Sequence, residues 1–294
     1  MSRVSLLFLA ASAVCLCWAQ DSKPANWQSL VKGGKCEQAR SLCTTWVTSK
    51  DTAKLVEAHK CLANVALCGN ESVVTLQAND QGGGELSGTY RSDAVDDAIA
   101  HLDQALKLAP QDLSIHQGRL HLLEVSFRYS DMVKALDESC SVYKGPEGVQ
   151  AWLDYTSELF EDKQFRASLA LLDVLNKHYP NSHDVLGNIG AMHLVLREDE
   201  QGIAYLRMAV DLAPKDPIDA WNLGRAYDYA ERLELADQWY QRALTLDSDS
   251  ARRQQNNCIY SSFVEKKLHD PKRACELQRA SCSTDAQPAC SVSK

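Results

Sequence analysis

One spacing constrains this chain more than any other property: a set of residues comes back every 34 positions. Leu186-Gly187-Asn188-Ile189-Gly190 is answered by Ala220-Trp221-Asn222-Leu223-Gly224, and Trp152 stands one step before Leu186. Pro180 and Pro214 keep the same step. Ser168, Gly202 and Ala236 hold one small position, and Leu172, Leu206 and Tyr240 hold a large apolar one four residues later. Three units follow in register, 149–182, 183–216 and 217–250. A unit of this length cannot bury its apolar flank alone, so it must stack on copies of itself. Small side chains let two helices of a unit approach, large apolar ones fill the remaining space, and proline ends the second helix.

The positions resemble the tetratricopeptide repeat family. The third unit supplies Gly224, Ala236, Tyr240 and Ala243 at its diagnostic places, with Leu223 and Tyr227 beside them and Ser248 where proline is usual. The second supplies Gly190, Gly202, Leu206, Ala209 and Pro214. The first is weaker, with Thr156, Ser168, Leu172 and Leu175, but keeps Trp152 and Pro180. A partial earlier unit shows in Ala98, Leu102, Ala105 and Pro110. The resemblance implies an all-α, right-handed superhelical solenoid of antiparallel helix hairpins. It covers most of 24–284: degenerate hairpins within 20–148, the three clear units, then a capping hairpin at 251–284 and a tail at 285–294. An insertion at 70–92 interrupts the first part, and a small β-hairpin and a disordered loop both fit its composition. Asn70-Glu71-Ser72 within it has the pattern of a glycosylation acceptor.

The family's first helices line a concave groove. Carried over position by position, the groove residues are Gln150, Leu153, Ser157, Phe160 and Glu161; Asp184, Gly187, Ala191, Leu194 and Val195; and Ile218, Trp221, Arg225, Asp228 and Tyr229. Phe160, Leu194, Ile218, Trp221, Arg225, Asp228 and Tyr229 form the expected peptide- or protein-binding set, because aromatic and Arg side chains are the usual anchors of interfaces. Asn188 and Asn222 sit where some members clamp a C-terminal carboxylate, but Asp184 and Ile218 replace the basic partners of such a clamp.

Residues 1–19 read as a secretory signal: Arg3, an apolar run to Trp18, and small residues before a cleavage after Ala19. The run is shorter than the roughly 20 residues needed to span a bilayer. The mature chain is then expected to be secreted or periplasmic and to have no membrane span. Its cysteines are disulfide candidates first. Cys36 and Cys43 are seven apart, as are Cys61 and Cys68, which returns each pair to one helix face. Facing residues of an antiparallel helix pair share a constant index sum. Here 36 + 68 equals 43 + 61, so Cys36–Cys68 and Cys43–Cys61 can close together. At the other end Cys258–Cys282 and Cys275–Cys290 are the expected pairs, and Cys140 is left as a buried thiol or as the link of a homo-oligomer.

The formal net charge of −8 argues against nucleic acid or an anionic membrane as the partner. No cofactor loop or metal-ligand cluster is found; His116 and His121 are five apart and share no helix face. Ser29-Leu30-Val31-Lys32 matches the Ser-x-x-Lys of penicillin-recognising enzymes, without their other motifs. Arg197-Glu198-Asp199-Glu200 reads as a solvated turn between helices. The expected function is therefore a non-enzymatic, exported interaction scaffold, with envelope assembly as a candidate role. A cell-wall or β-lactam-directed hydrolase and a purely structural, oligomer-forming subunit are the alternatives.

Overall fold

Short polar side chains fix where the helices start. Asp112, Ser182, Asp216 and Asp249 each precede a first helix of a hairpin and accept hydrogen bonds from its opening amides. Asp216 accepts from Ile218 at 2.8 Å and Asp219 at 2.9 Å, with Pro217 in the first helical turn where no donor is needed. Ser182 and Asp216 hold equivalent places one repeat apart.

The computed structural model describes residues 26–69, 75–78, 84–87, 92–143, 145 and 147–281. The expected signal, Asn70, most of the insertion, Cys282, Cys290 and the tail lie outside them. Contacts divide the chain into two units at Trp152/Leu153, inside a helix.

The first unit holds α1 (Asn26–Lys32), α2 (Cys36–Thr44), α3 (Thr52–Leu67), α4 (Ser92–Leu108), α5 (Leu113–Val125) and α6 (Tyr129–Val142). Between α3 and α4, β1 (Thr75–Ala78) and β2 (Gly84–Ser87) pair antiparallel, Thr75 opposite Ser87. The helix expected to run through Trp46 stops at Thr44, and Trp46 lies in the following turn. Cys36–Cys68 and Cys43–Cys61 are disulfides with Cα atoms 5.7 and 6.1 Å apart, the nested pairing that the index sum allows. Cys43 and Cys61 are fully buried with Trp27, Ala39, Leu62 and Val65, so the inner bridge is part of the core of α1–α3. Trp27 donates its indole N–H to Glu57 at 2.8 Å. Cys140 carries a buried thiol, 2% exposed, packed on α6 rather than presented for an intermolecular bond. His116 is also buried, 2.9 Å from the Ser139 hydroxyl and 3.0 Å from the Pro110 carbonyl; burial lowers its pKa, and the neutral ring is a packed histidine.

α7 (Gly148–Glu161) begins in the first unit and continues into the second. There follow α8 (Phe165–His178), α9 (His183–Val195), α10 (Asp199–Leu212), α11 (Pro217–Tyr229), α12 (Leu233–Leu246), α13 (Ser250–Lys266) and α14 (Pro271–Ser281). The described helices are stacked hairpins.

Within each hairpin one pair of small residues sets the helix spacing. A Cβ on Gly190 would lie 2.6 Å from Leu206 Cγ and 3.0 Å from the carbonyl oxygen of Gly202. A Cβ on Gly224 would lie 2.8 Å from the ring of Tyr240. In the weaker first repeat the pair is Thr156 and Ser168, both buried; the Ser168 hydroxyl donates to the Thr156 carbonyl at 2.7 Å, and the Thr156 hydroxyl donates to Leu153 at 2.7 Å. Two hydroxyls can therefore occupy this contact because each finds a backbone acceptor.

The hairpin turns are equally regular. Lys163, Arg197 and Glu231 all have positive φ, 61°, 63° and 54°. The next residue's amide bonds back to the helix, Gln164 to Leu159, Glu198 to His193 and Arg232 to Tyr227, each at 2.8–2.9 Å. This is the Schellman end of a helix with a charged residue where glycine is usual. Arg166–Glu198 at 2.9 Å and Lys267–Glu231 at 2.6 Å tie successive turns; being exposed, such pairs are worth about 0–1 kcal/mol each.

At the end of the second unit, Asp237 accepts from Tyr260 at 2.6 Å and from Arg273 at 2.8 and 3.1 Å, joining α12, α13 and α14. Cys258 and Cys275 are both disulfide-bonded, and their expected partners fall outside the described residues.

Gly190→Ala should lower the urea midpoint of unfolding. Helix propensity favours Ala by about 1 kcal/mol, but crowding a backbone carbonyl costs about 1–3 kcal/mol. The double change Cys43→Ser with Cys61→Ser should remove less than the roughly 3 kcal/mol that closing this loop alone would give, because the outer Cys36–Cys68 bridge still ties the two helices. Hydrogen exchange should show the loss in α1–α3 amides while those of α11 and α12 keep their protection.

Candidate functional site

Two clefts between successive first helices lie within the second unit, α7/α9 and α9/α11, and they differ in what fills them. Between α9 and α11 the space is taken by this chain's own side chains. Asp219 is buried, and its carboxylate is 2.8 Å from His183 Nδ1. A Cβ on Gly187 would lie 2.5 Å from Asp219 Oδ1, so any side chain there would have to displace the carboxylate. Burial raises the Asp219 pKa to about 6, against the lowering effect of the His183 hydrogen bond. For His183, burial pulls the pKa down, but the hydrogen bond to Asp219 and the charges of Asp184, Asp219 and Asp216 outweigh it and leave it raised.

Trp221 follows two residues on. It is 8% exposed and packs on Tyr240 with ring centroids 4.6 Å apart; Tyr240 in turn meets Phe263 at 5.3 Å. Leu194, 4% exposed, belongs to the same core. The expectation that Trp221 and Leu194 present themselves in a groove is therefore corrected: both fill the space over small residues of the hairpins, Leu194 beside Gly202. Asp228 is half-buried, with its pKa raised chiefly by burial.

Arg225, Tyr229 and Ile218 are exposed on α11. Arg225 donates to the Tyr229 hydroxyl at 3.2 Å, and Arg197 lies over the Tyr229 ring at 5.5 Å. These contacts place Tyr229 with the turn at 197–201, at the hairpin ends, beside an open depression lined by Arg197, Glu200, Gln201 and Glu231. The four-residue acidic turn is thus partly engaged: Glu198 is 2.6 Å from His193 and 2.9 Å from Arg166, which hold its carboxyl below the usual range.

Between α7 and α9 the arrangement is the reverse. A cavity of 280 Å³ is lined by Ser157, Phe160 and Glu161 of α7, Asn188, Ala191 and Met192 of α9, and Thr156, Ser168 and Leu172 beneath. Phe160 is 43% exposed, with Phe165 as its ring neighbour at 5.5 Å. Ser157, Phe160, Glu161 and Ala191 are four of the carried-over groove positions. The floor residues Thr156, Ser168 and Leu172 were assigned only to packing by the sequence. Asn188 donates its amide to the Asp184 carbonyl at 2.8 Å, so its side chain is held in place. The wall is apolar at Phe160, Leu172 and Met192 and polar at Ser157, Glu161 and Asn188.

Ser29 and Lys32 both face solvent on α1, as an ordinary helix surface does. Among the described residues no group of three or more His, Cys, Asp or Glu side chains is placed to hold a metal, and no helix is long and apolar enough to cross a membrane.

The pair His183–Asp219 makes a signed prediction. Asp219 protonates near 6 in the fold but near 3.8 when unfolded, so the folded chain binds the extra proton and its stability falls as pH rises through that interval. His183, also raised, contributes stability that is present below its unfolded value and lost as pH rises through its folded one. Both slopes run the same way. Asp219→Asn should therefore gain stability relative to wild type as pH is raised from 5 to 7.5, read as the gap between urea midpoints; a constant gap would contradict it.

Residues 220–250 match the tetratricopeptide repeat family model. The C-terminal part of a TPR repeat-containing protein from Cytophaga hutchinsonii shares the fold, with 10% identity over 90% of this chain and 98% of that one and a TM-score of 0.52. Pseudomonas aeruginosa pilF is 15% identical over 68% of this chain and 90% of its own, TM-score 0.42. YrrB, described as a TPR protein with an unusual peptide-binding site, is 14% identical over 70% and 93%, TM-score 0.39. No curated protein sequence matches the chain. Residues 220–250 match one tetratricopeptide repeat, set among described helices that stack as hairpins with the fold of the Cytophaga hutchinsonii protein.

Proposed function

We propose that the chain is an exported, non-enzymatic scaffold that binds an extended segment of a partner protein between α7 and α9. The observation that carries the reading is the contrast between the two clefts. One is filled by Asp219 against His183 and Gly187, whereas the other keeps a 280 Å³ cavity with Phe160 exposed at its side. A cavity of that size takes one or two apolar side chains of a peptide, and the hydroxyl and carboxylate groups at its edge address backbone amides or a basic neighbour. TPR repeat proteins are protein-binding scaffolds, which agrees with a groove rather than a reaction centre. Export is supported by the signal-like N-terminus and by cystines built into the core of α1–α3, since such bridges persist in oxidising compartments.

The test is selection of peptides from a display library on the intact chain. Phe160→Ala should weaken the selected peptides at least tenfold, and Met208→Ala, exposed on α10 away from the cavity lining, should leave them unchanged. Peptides that bind Phe160→Ala as well as wild type would reject this cleft. Trp221→Ala is unsuitable as a probe, because truncating a buried Trp costs about 3–5 kcal/mol of stability.

A further inference from the structure

Granting the α7–α9 cleft as the binding site, we infer that the segment it holds is basic: an arginine or lysine stands beside the apolar residue that enters the cavity, with its head group on Glu161.

The polar atoms of the lining set the sign. Its hydroxyl donors are spent inside the chain. Thr156 and Ser157 both donate to the Leu153 carbonyl, at 2.7 and 3.2 Å, and Ser168 donates to the Thr156 carbonyl at 2.7 Å. Asn188 commits an amide N–H to the Asp184 carbonyl at 2.8 Å and keeps its side-chain oxygen as an acceptor. The cavity therefore offers a ligand chiefly lone pairs, those of Ser157 and Asn188 and the carboxylate of Glu161, and the ligand must bring the donors. Glu161 is the only charged side chain in the lining. It is exposed, and its carboxylate has no ion-pair or hydrogen-bond partner among the described residues.

Both walls carry the same sign. α7 and α9 contain no Lys or Arg, and Asp154, Glu158, Glu161 and Asp184 are exposed on them. Glu161 ends α7, where the helix dipole also favours a cation. Lys163 and Arg166 belong to the turn and to α8, and Arg166 is held by Glu198 at 2.9 Å. Arg225 and Arg197 gather on Tyr229. None of these four cations lines the cavity. A long cationic side chain suits both halves of the edge: its aliphatic stem lies along the exposed Phe160 ring while its head reaches the carboxylate. The resulting hydrogen bond is charge-assisted and stronger than a neutral one. An acidic segment would set like charges against α7 and find few donors.

Fluorescence anisotropy of the intact chain with three labelled pools of short synthetic peptides tests this. Each pool has a central leucine, flanked by Arg and Lys, by Gln and Asn, or by Glu and Asp. At low salt the basic pool should bind about tenfold tighter than the neutral one, and the acidic pool weakest. Glu161→Gln should remove the preference and leave the neutral pool unchanged, and Glu161→Lys should turn it toward the acidic pool. Glu234→Gln, which removes an exposed carboxylate from α12, should keep it. A preference that is absent, that survives Glu161→Gln, or that Glu234→Gln lowers equally overturns the inference, and the cleft stands so long as Phe160→Ala weakens binding. Where no pool binds, or Phe160→Ala leaves every pool unchanged, the cleft itself is rejected and the inference with it.

Discussion

The contact on which the second unit depends is the close approach of two helices over a pair of small residues. It recurs as Thr156/Ser168, Gly190/Gly202 and Gly224/Ala236, one repeat apart each time. Where the pair is glycine, backbone meets backbone, with the Gly202 oxygen 3.0 Å from where a Gly190 Cβ would stand. Where it is Thr and Ser, the added atoms are tolerated because both hydroxyls bond to carbonyls. The approach decides which large side chains then cover the contact: Leu172, Leu206 and Tyr240, all buried. A hairpin of this kind leaves one flank apolar, and stacking follows from the need to bury it.

Stacking creates a cleft between every two first helices, but a cleft becomes a site only if the chain does not fill it. Asp219 shows how one is closed. Its carboxylate occupies the volume that a side chain at Gly187 would need, is held by His183, and is kept partly protonated by burial. The neighbouring cleft has Asn188 and Ala191 facing α7 and stays open. A buried carboxylate paired with a histidine is weak evidence for stability, since desolvation opposes the attraction. Its clearer consequence here is shape.

Much of this was legible in the sequence, for identifiable reasons. Hairpin boundaries, small-residue contacts and the nested cystines all follow from periodicity, and periodicity is written in residue type. The groove was only half legible. Position within the repeat placed Ser157, Phe160, Glu161 and Ala191 at the cavity but also nominated Leu194 and Trp221, which are buried. Whether a residue at a facing position points outward depends on the volume left by the next hairpin: Gly202 opens room for Leu194, and Gly224 draws Tyr240 under Trp221. That is a relation between residues, not a property of one position. The turns were hidden differently. Lys163, Arg197 and Glu231 adopt the left-handed conformation that glycine would advertise, and nothing in their chemistry signals it.

The two ends of a stack lack a neighbour on one side, and the first hairpins show what replaces it. α1 and α2 are only seven and nine residues long, too short to be stable helices alone. Their buried cluster is small: Trp27, Ala39 and Cys43 against Cys61, Leu62 and Val65 of α3. Two of those six are the halves of one disulfide, so the same atoms act as apolar filling and as a covalent tie. The outer bridge, Cys36–Cys68, then fixes the start of α2 to the end of α3. Two ties on one helix pair set both its register and its direction, which a single bridge would leave free to pivot. A helix as short as α2 can accordingly hold its place at the edge of the stack, where a hairpin relying on packing alone would need the length of α11 and α12.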